Sequence, residues 1–263
     1  MRREGRGLSI LWFLLLLVWI PSASSGARPA YGLLGYSGAV LSPTAQTVPD
    51  ARLSLGVGYL PAQFAVLRRP RFGDKIYSLT LGYLPFLETT WGILRSDHIG
   101  NRWGIGDRFA FFRFQLHAET SRWPAVVLGL HDPFGIVGEE WAQHLCASYV
   151  VLSRRRTILH RTCLFSVGYG SDKIPAAQHQ LVGLFGSVIL EARKNVSLIL
   201  ENDAEKFNAA LRVQWRRIEL DLALLGMRAW AGRLSADFSL RPDLPVHGPS
   251  PPESAWETRP DSR

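Results

Sequence analysis

Apolar and polar residues alternate along most of the chain. In ARLSLGVGYLP (51–61), Leu53, Leu55, Val57 and Tyr59 face Arg52, Ser54, Gly56 and Gly58. Successive strand side chains point to opposite faces, so this segment has one large apolar face and one small polar face. KIYSLTLGYLP (75–85) repeats the phrase, and 108–119, 207–215, 217–225 and 233–240 follow it with more charge on the polar side. Further strands are expected over 123–131, 144–153, 157–169, 181–192 and 196–202, with turn signals at Pro61, RFGD, LPF, HDPFG, GSDKIP and NDAEK. No long window favours the helical period. The predicted fold is all-β, an antiparallel up-and-down barrel of about 12 strands at about 17 residues per strand and turn.

Which face is inside decides the class. A soluble sandwich or lipocalin-like barrel buries the leucines, whereas a membrane barrel turns them to lipid and lines its lumen with the small polar face. The polar faces hold Arg113, His117, Arg212, Glu219, Asp221 and Asp237, more charge than a surface needs. Tyr59, Tyr83, Trp91, Trp123, Tyr169 and Trp215 fall near strand ends, where a membrane interface favours aromatic rings. These features favour the membrane barrel, although the alternation itself fits both.

The ends of the chain add an expectation each. Residues 1–27 have a basic start, an apolar run from Leu8 to Ile20 and a small-residue stretch after Pro21. That is the layout of a signal peptide cleaved after Ser25 or Ala27, and the run is shorter than the about 20 residues of a membrane helix. No cysteine stands near the cleavage site for lipid attachment. Residues 28–240 are the expected barrel domain, and the proline-rich stretch 241–263 reads as a disordered tail. Because bacterial barrels often finish on their last strand, that tail counts against the membrane reading.

The net charge of +8 includes clusters at SRRRT (153–157) and WRR (215–217). In an exported chain these read as basic loops at a membrane surface or facing acidic saccharide or head groups, not as a nucleic-acid site. Two cysteines make no disulfide scaffold. Cys146 and Cys163 would oppose one another if a hairpin turned at Arg154 and Arg155, whereas face alternation sets them apart.

No catalytic constellation stands out. His117, His131, His144, His160 and His179 accompany Ser148, Ser153, Ser166 and Ser187 without a Gly-x-Ser-x-Gly elbow. Glu191, Glu201, Glu219 and Asp221 are charges a barrel lumen carries anyway, and no metal-ligand spacing occurs. No cofactor is expected. Candidate binding residues are Arg113 and His117, with Glu201, Asp203, Asn208 and Arg212 gathered across one short connection. They form either a salt-bridged plug or a saccharide-contacting patch at the rim or in the lumen.

The stretch GYSGAVLSPTAQTVPDARLSLGVGYLP (35–61) resembles the opening of the YjbH-type exopolysaccharide family of bacterial outer-membrane barrels: Gly35 and Gly38, then Pro43-Thr44-Ala45, Pro49-Asp50 and a strand alternating Leu and Gly. LPFLE (84–88), PAVVLGLHD (124–132), GLFGS (183–187), LEND (200–203) and FNAALR (207–212) follow in family order. Many relatives are longer and some carry a lipid-attachment cysteine that this chain lacks. The resemblance implies a non-enzymatic outer-membrane protein of extracellular polysaccharide production or export, with membrane lipid, polysaccharide or export machinery as partners. The alternative is a soluble secreted barrel binding lipid or glycan. An outer-membrane lipid hydrolase would need a Ser and a His within hydrogen-bond reach at the rim.

Overall fold

The computed structural model describes residues 30–66, 72–96, 106–133, 145–171, 173 and 181–240. The expected signal peptide and tail lie outside the described residues, as do His144 and His179. The strands are β1 (Arg52–Leu60), β2 (Asp74–Leu84), β3 (Leu87–Ser96), β4 (Asp107–His117), β5 (Ala125–His131), β6 (Ala147–Ile158), β7 (Arg161–Ser171), β8 (Gly183–Arg193), β9 (Val196–Asn202), β10 (Phe207–Trp215), β11 (Ile218–Leu225) and β12 (Ala229–Ser239). Each pairs antiparallel with its neighbours in sequence, and β12 returns to β1 to close the barrel. The expected all-β fold is observed.

The β1–β12 seam shows which face is outside. Leu55 stands opposite Ala236 and Val57 opposite Leu234, whereas Ser54 opposes Asp237 and Gly58 opposes Arg233. Leu55 and Val57 are 44% and 50% exposed, while Ser54 is buried. The large apolar face of ARLSLGVGYLP is therefore the outer wall.

The two ends of the barrel differ. Residues 85–86, 159–160, 194–195 and 216–217 make two-residue connections at one end, hereafter the turn end. β1–β2, β3–β4, β5–β6 and β7–β8 are joined at the other, the loop end, by longer segments. Odd-numbered strands run from the turn end to the loop end. At the turn end the Leu159 and His160 backbones adopt positive φ (49° and 63°), the conformation that a tight hairpin needs.

Two strand readings need correction. β3 was not expected, because Glu88, Thr89 and Thr90 put polar groups on both faces and hide the alternation. Arg154–Arg156 continue β6, and the turn falls at Leu159–His160 instead. Partners distant in sequence hold the arginines extended: Arg154 donates to the carbonyls of Ser121 and Arg122 (2.8 and 3.0 Å), and Arg155 to the Gln46 side chain (2.7 Å). Cys163 consequently faces Arg156 across the ladder and cannot oppose Cys146. Both thiols are free and buried, and Cys146 donates to the Asp132 carbonyl at 3.2 Å.

The lumen is filled. Residues 30–50 form no strand and lie inside the barrel, where Leu33, Leu34, Tyr36, Val40 and Leu41 are buried. They pack with Leu60, Ile76, Leu94, Phe109 and Phe111 in one apolar cluster, so the inner face is not polar throughout. Wide inner side chains lie over cross-strand glycines. Phe109 covers Gly92, Tyr149 covers Gly129 and Phe185 covers Gly168, and a Cβ on any of these glycines would come within 2.0–2.2 Å of the ring. These contacts fill the wall between strands, as packed interiors require.

Alkylation of unfolded, unreduced protein followed by mass spectrometry is expected to find both cysteines modified. Recovery of a peptide linked through Cys146 and Cys163 would contradict the β6–β7 register.

Candidate functional site

The inserted segment climbs the lumen and returns. Its first turn is fixed near the turn end, where the Tyr31 N–H donates to Glu219 at 2.9 Å. Its apex, Val40–Ser42, meets Glu201 near the loop end of β9, and Val48 comes back to Glu88 near the start of β3. Six backbone bonds tie the segment to itself, among them Leu33 N–H to the Val40 carbonyl (2.7 Å), Gly38 N–H to Ala30 (2.9 Å) and Ala39 N–H to Ser42 (2.9 Å), and they leave other groups to find partners on the wall. Gly32, Gly35, Gly38, Pro43 and Pro49 suit such a path. Gly35 has φ 104°, which side chains avoid, and neither proline donates to a ladder. The wall yields to the segment as well: a Cβ on Gly82 would lie 2.0 Å from the Pro49 carbonyl oxygen.

A buried backbone without a ladder still has to satisfy its N–H and C=O groups. Lumen charges do so here. Glu201 accepts from the N–H groups of Val40, Leu41 and Ser42 (2.8, 2.8 and 3.0 Å), from the Ser42 hydroxyl (2.6 Å) and from the Asn208 amide (2.8 Å). Glu88 accepts from Ser37 N–H and Oγ on the rising limb (2.8 and 2.6 Å) and from Val48 N–H on the descending one (2.9 Å). Arg212 donates to the carbonyls of Tyr31 and Ala39, both at 2.7 Å, and to Gly38 at 3.3 Å. Arg113 donates to the carbonyls of Thr44 and Gln46. Anions therefore hold N–H groups and cations hold carbonyls, so the bonds to the segment are charge-assisted.

The same charges pair along the wall. Arg113 and Glu88 are cross-strand partners 2.8 Å apart, and Arg212 meets Asp221 at 2.7 Å, with both partners of each pair buried. Ladder register produces this, since side chains directly opposite on one face lie within reach.

The six binding candidates fall into three places. Glu201, Asp203 and Asn208 are joined, with the Asn208 amide donating to Glu201 (2.8 Å) and Asp203 (2.9 Å) at the loop-end hairpin. Arg113 and Arg212 lie deeper, each against the inserted segment. His117 ends β4 at the turn end, exposed and apart from the others. Glu201, Arg113 and Arg212 spend their polar atoms on the chain itself, the arrangement of a plug. Glu88, which ties both limbs of the plug, was not singled out from the sequence. Its signal was its register opposite Arg113, which needed β3 to be recognised.

Space remains at the turn-end mouth. A cavity of about 410 Å³ lies between the plug and β6–β10, lined by Gln46, Arg155, Glu191, Lys194, Arg212 and Gln214 among others. Leu164 and Ile189 join these amide and charged groups, so the lining is of mixed polarity. Ser153, Ser166 and His131 are engaged structurally. Ser153 shares a hydrogen bond with Ser166 (2.7 Å) and accepts from Ala45 N–H (2.6 Å). His131 bonds the Tyr149 hydroxyl (3.2 Å) and stacks at 4.1 Å from Phe111 and 4.7 Å from Tyr36 of the plug.

No family model matches the chain, and no curated protein matches it in sequence.

Glu201→Ala removes the acceptor of three backbone N–H groups, each costing roughly 1–3 kcal/mol when left buried and unpaired. Limited proteolysis is expected to cut residues 30–50 in this variant while the strands stay protected. Resistance equal to the wild type would show that Glu201 does not retain the plug. Glu88→Ala is expected to release both limbs and to expose the buried Arg113, lowering stability by about 3–5 kcal/mol in denaturant titration.

Proposed function

We propose that the chain is an outer-membrane β-barrel, plugged by its own N-terminal segment, that serves extracellular polysaccharide production or export without catalysing a reaction itself. The apolar outer wall and its aromatic margins carry this reading. Tyr59, Tyr77, Tyr169, Phe207 and Trp230 are exposed toward the loop end, and Tyr83, Phe86, Trp123, Trp215 and Phe238 toward the turn end. Between them stand exposed aliphatics such as Leu55, Leu79, Leu200 and Leu222. An apolar band between two aromatic girdles fits the outer surface of a membrane barrel, and strands of 9–11 residues such as β1, β2 and β4 match the length needed to cross. A soluble secreted barrel would turn its polar face outward. Short turns at one end and longer loops at the other also follow the membrane pattern.

The saccharide part rests on the resemblance of residues 35–61 and the later motifs to the YjbH-type family, together with charge. Arg122, Arg161, Arg193, Arg216 and Arg217 lie at the turn end, and Arg155 and Lys194 line the cavity there, the complement of an acidic chain. Lumen contacts with polysaccharide would have to begin at this mouth, because the plug fills the rest.

Membrane fractions run on a gel with and without boiling are expected to show a mobility shift, as closed barrels resist detergent until heated. A protein found outside the membrane without a shift would overturn the reading. In planar bilayers the wild type is expected to be silent, and deletion of residues 30–47 to give stepwise conductance. Equal conductance from both would mean that the segment is no seal. Cells lacking the protein are expected to lose surface polysaccharide, and unchanged polysaccharide would remove the proposed role.

A further inference from the structure

The cavity at the turn-end mouth has two walls of different origin. The barrel supplies one continuous inner surface. Arg155 stands opposite Leu164 and Leu164 opposite Ile189, and next to them Ser197 lies between Glu191 and Arg212. The plug supplies the other wall with Ala30, Gly38, Thr44 and Gln46. Two arginines of the barrel grip that second wall: Arg155 donates to the Gln46 side chain at 2.7 Å, and Arg212 to the Gly38 carbonyl at 3.3 Å. The space is therefore enclosed only while the plug is seated.

The chemistry of the walls fits a sugar. Gln46, Asn195 and Gln214 bring amides, and Thr44 and Ser197 bring hydroxyls, which suit a ring carrying several hydroxyl groups. Leu164 and Ile189 offer an apolar step for its C–H face. The charges inside are largely matched. Glu191, the only acid among the described lining residues, interacts with Arg155, and Arg212 is paired with Asp221. The excess lies at the lip. Lys194 is exposed in the turn 194–195 and lines the cavity, and exposed Arg161, Arg193 and Arg217 stand on or beside the neighbouring turns, which carry no acid.

We propose that this cavity receives a short stretch of an acidic polysaccharide, with a carboxylate at Lys194, and that the bound saccharide holds the plug in the lumen. The inference rests on the polysaccharide reading above and says what the mouth does with its ligand. A ligand that touches both walls binds the seated plug and not the released one. By linkage, its binding makes release less favourable by the same factor that release weakens its binding. Polysaccharide at this mouth therefore keeps the barrel shut instead of opening it.

The test uses the full-length barrel in neutral detergent, with trigalacturonate as the acidic probe and maltotriose as the neutral one. Calorimetry is expected to show trigalacturonate bound about tenfold more tightly than maltotriose, and Lys194→Gln to remove that difference. With trigalacturonate at about ten times its Kd, chymotryptic cutting within residues 30–50 is expected to slow about tenfold, because only the seated form binds it. Deletion of residues 30–47 removes the plug wall, keeps the basic lip and is expected to abolish binding. Ser197→Phe fills the cavity, keeps every charge and is expected to weaken both sugars, with the gel shift on boiling showing that each variant is still a closed barrel. No binding of trigalacturonate, equal affinity in the deletion variant, or cutting that is unchanged or faster with the ligand would each overturn the proposal. Cells lacking the protein test the wider reading separately. Lost surface polysaccharide with no binding refutes this site alone, whereas binding beside unchanged polysaccharide refutes the wider role and leaves the site.

Discussion

The structure depends on carboxylates that accept hydrogen bonds from an irregular backbone. Residues 30–50 belong to none of the twelve strands and lie in the lumen. Without Glu201, Glu88 and Glu219 the N–H groups of Tyr31, Ser37, Val40, Leu41, Ser42 and Val48 would lose their acceptors, and without Arg113 and Arg212 the carbonyls of Tyr31, Gly38, Ala39, Thr44 and Gln46 would lose these donors. The charges also depend on the segment. A buried carboxylate or guanidinium is costly unless every lone pair and proton finds a partner, and the wall alone supplies only some of them. Plug and lumen are each unsatisfactory without the other, so the barrel is built around its filling.

This mutual need explains why the inner face of the wall mixes charge with apolar surface. Outside, the strands present large apolar side chains such as Leu55, Leu79 and Leu222. Inside, Leu33, Leu34 and Tyr36 bring their own core to Ile76, Leu94 and Phe109, while polar groups are kept for the turns of the segment. Glycines such as Gly58 and Gly82 give way where its carbonyls approach the wall. The inner face of the sheet is thus matched to a filling made from the same chain.

The strands were largely legible, because leucines alternating with small polar residues leave one pairing pattern that keeps a face apolar. β9 and β10 fall where the sequence places them. β3 was obscured by Glu88 and Thr90, whose reason to be polar lies on other segments. The extension of β6 through three arginines was obscured in the same way, since its support comes from residues 121, 122 and 46. The candidate site was half legible. Glu201, Asp203 and Asn208 meet across a single hairpin, so their proximity followed from sequence distance. That their partner is the stretch around Val40 did not, because periodicity carries no information about contacts 160 residues apart. Ile76 and Leu94 were likewise hidden, as apolar residues in a face that otherwise reads as polar.

The plug is the first part of the described chain and its contacts are among the most distant, with Tyr31 and Glu219 separated by 188 positions. Such closure is slow, because chain entropy is lost long before the distant contact repays it. Until β11 and β12 reach β1, the segment lacks the Glu219 acceptor of its first turn and a closed wall around it. The seam between first and last strand is therefore the moment at which the interior becomes complete, and a barrel that closes with the segment outside is left with bare charges within. Assembly and quality control meet in one event: the ring that shuts correctly is the ring that has swallowed its own beginning.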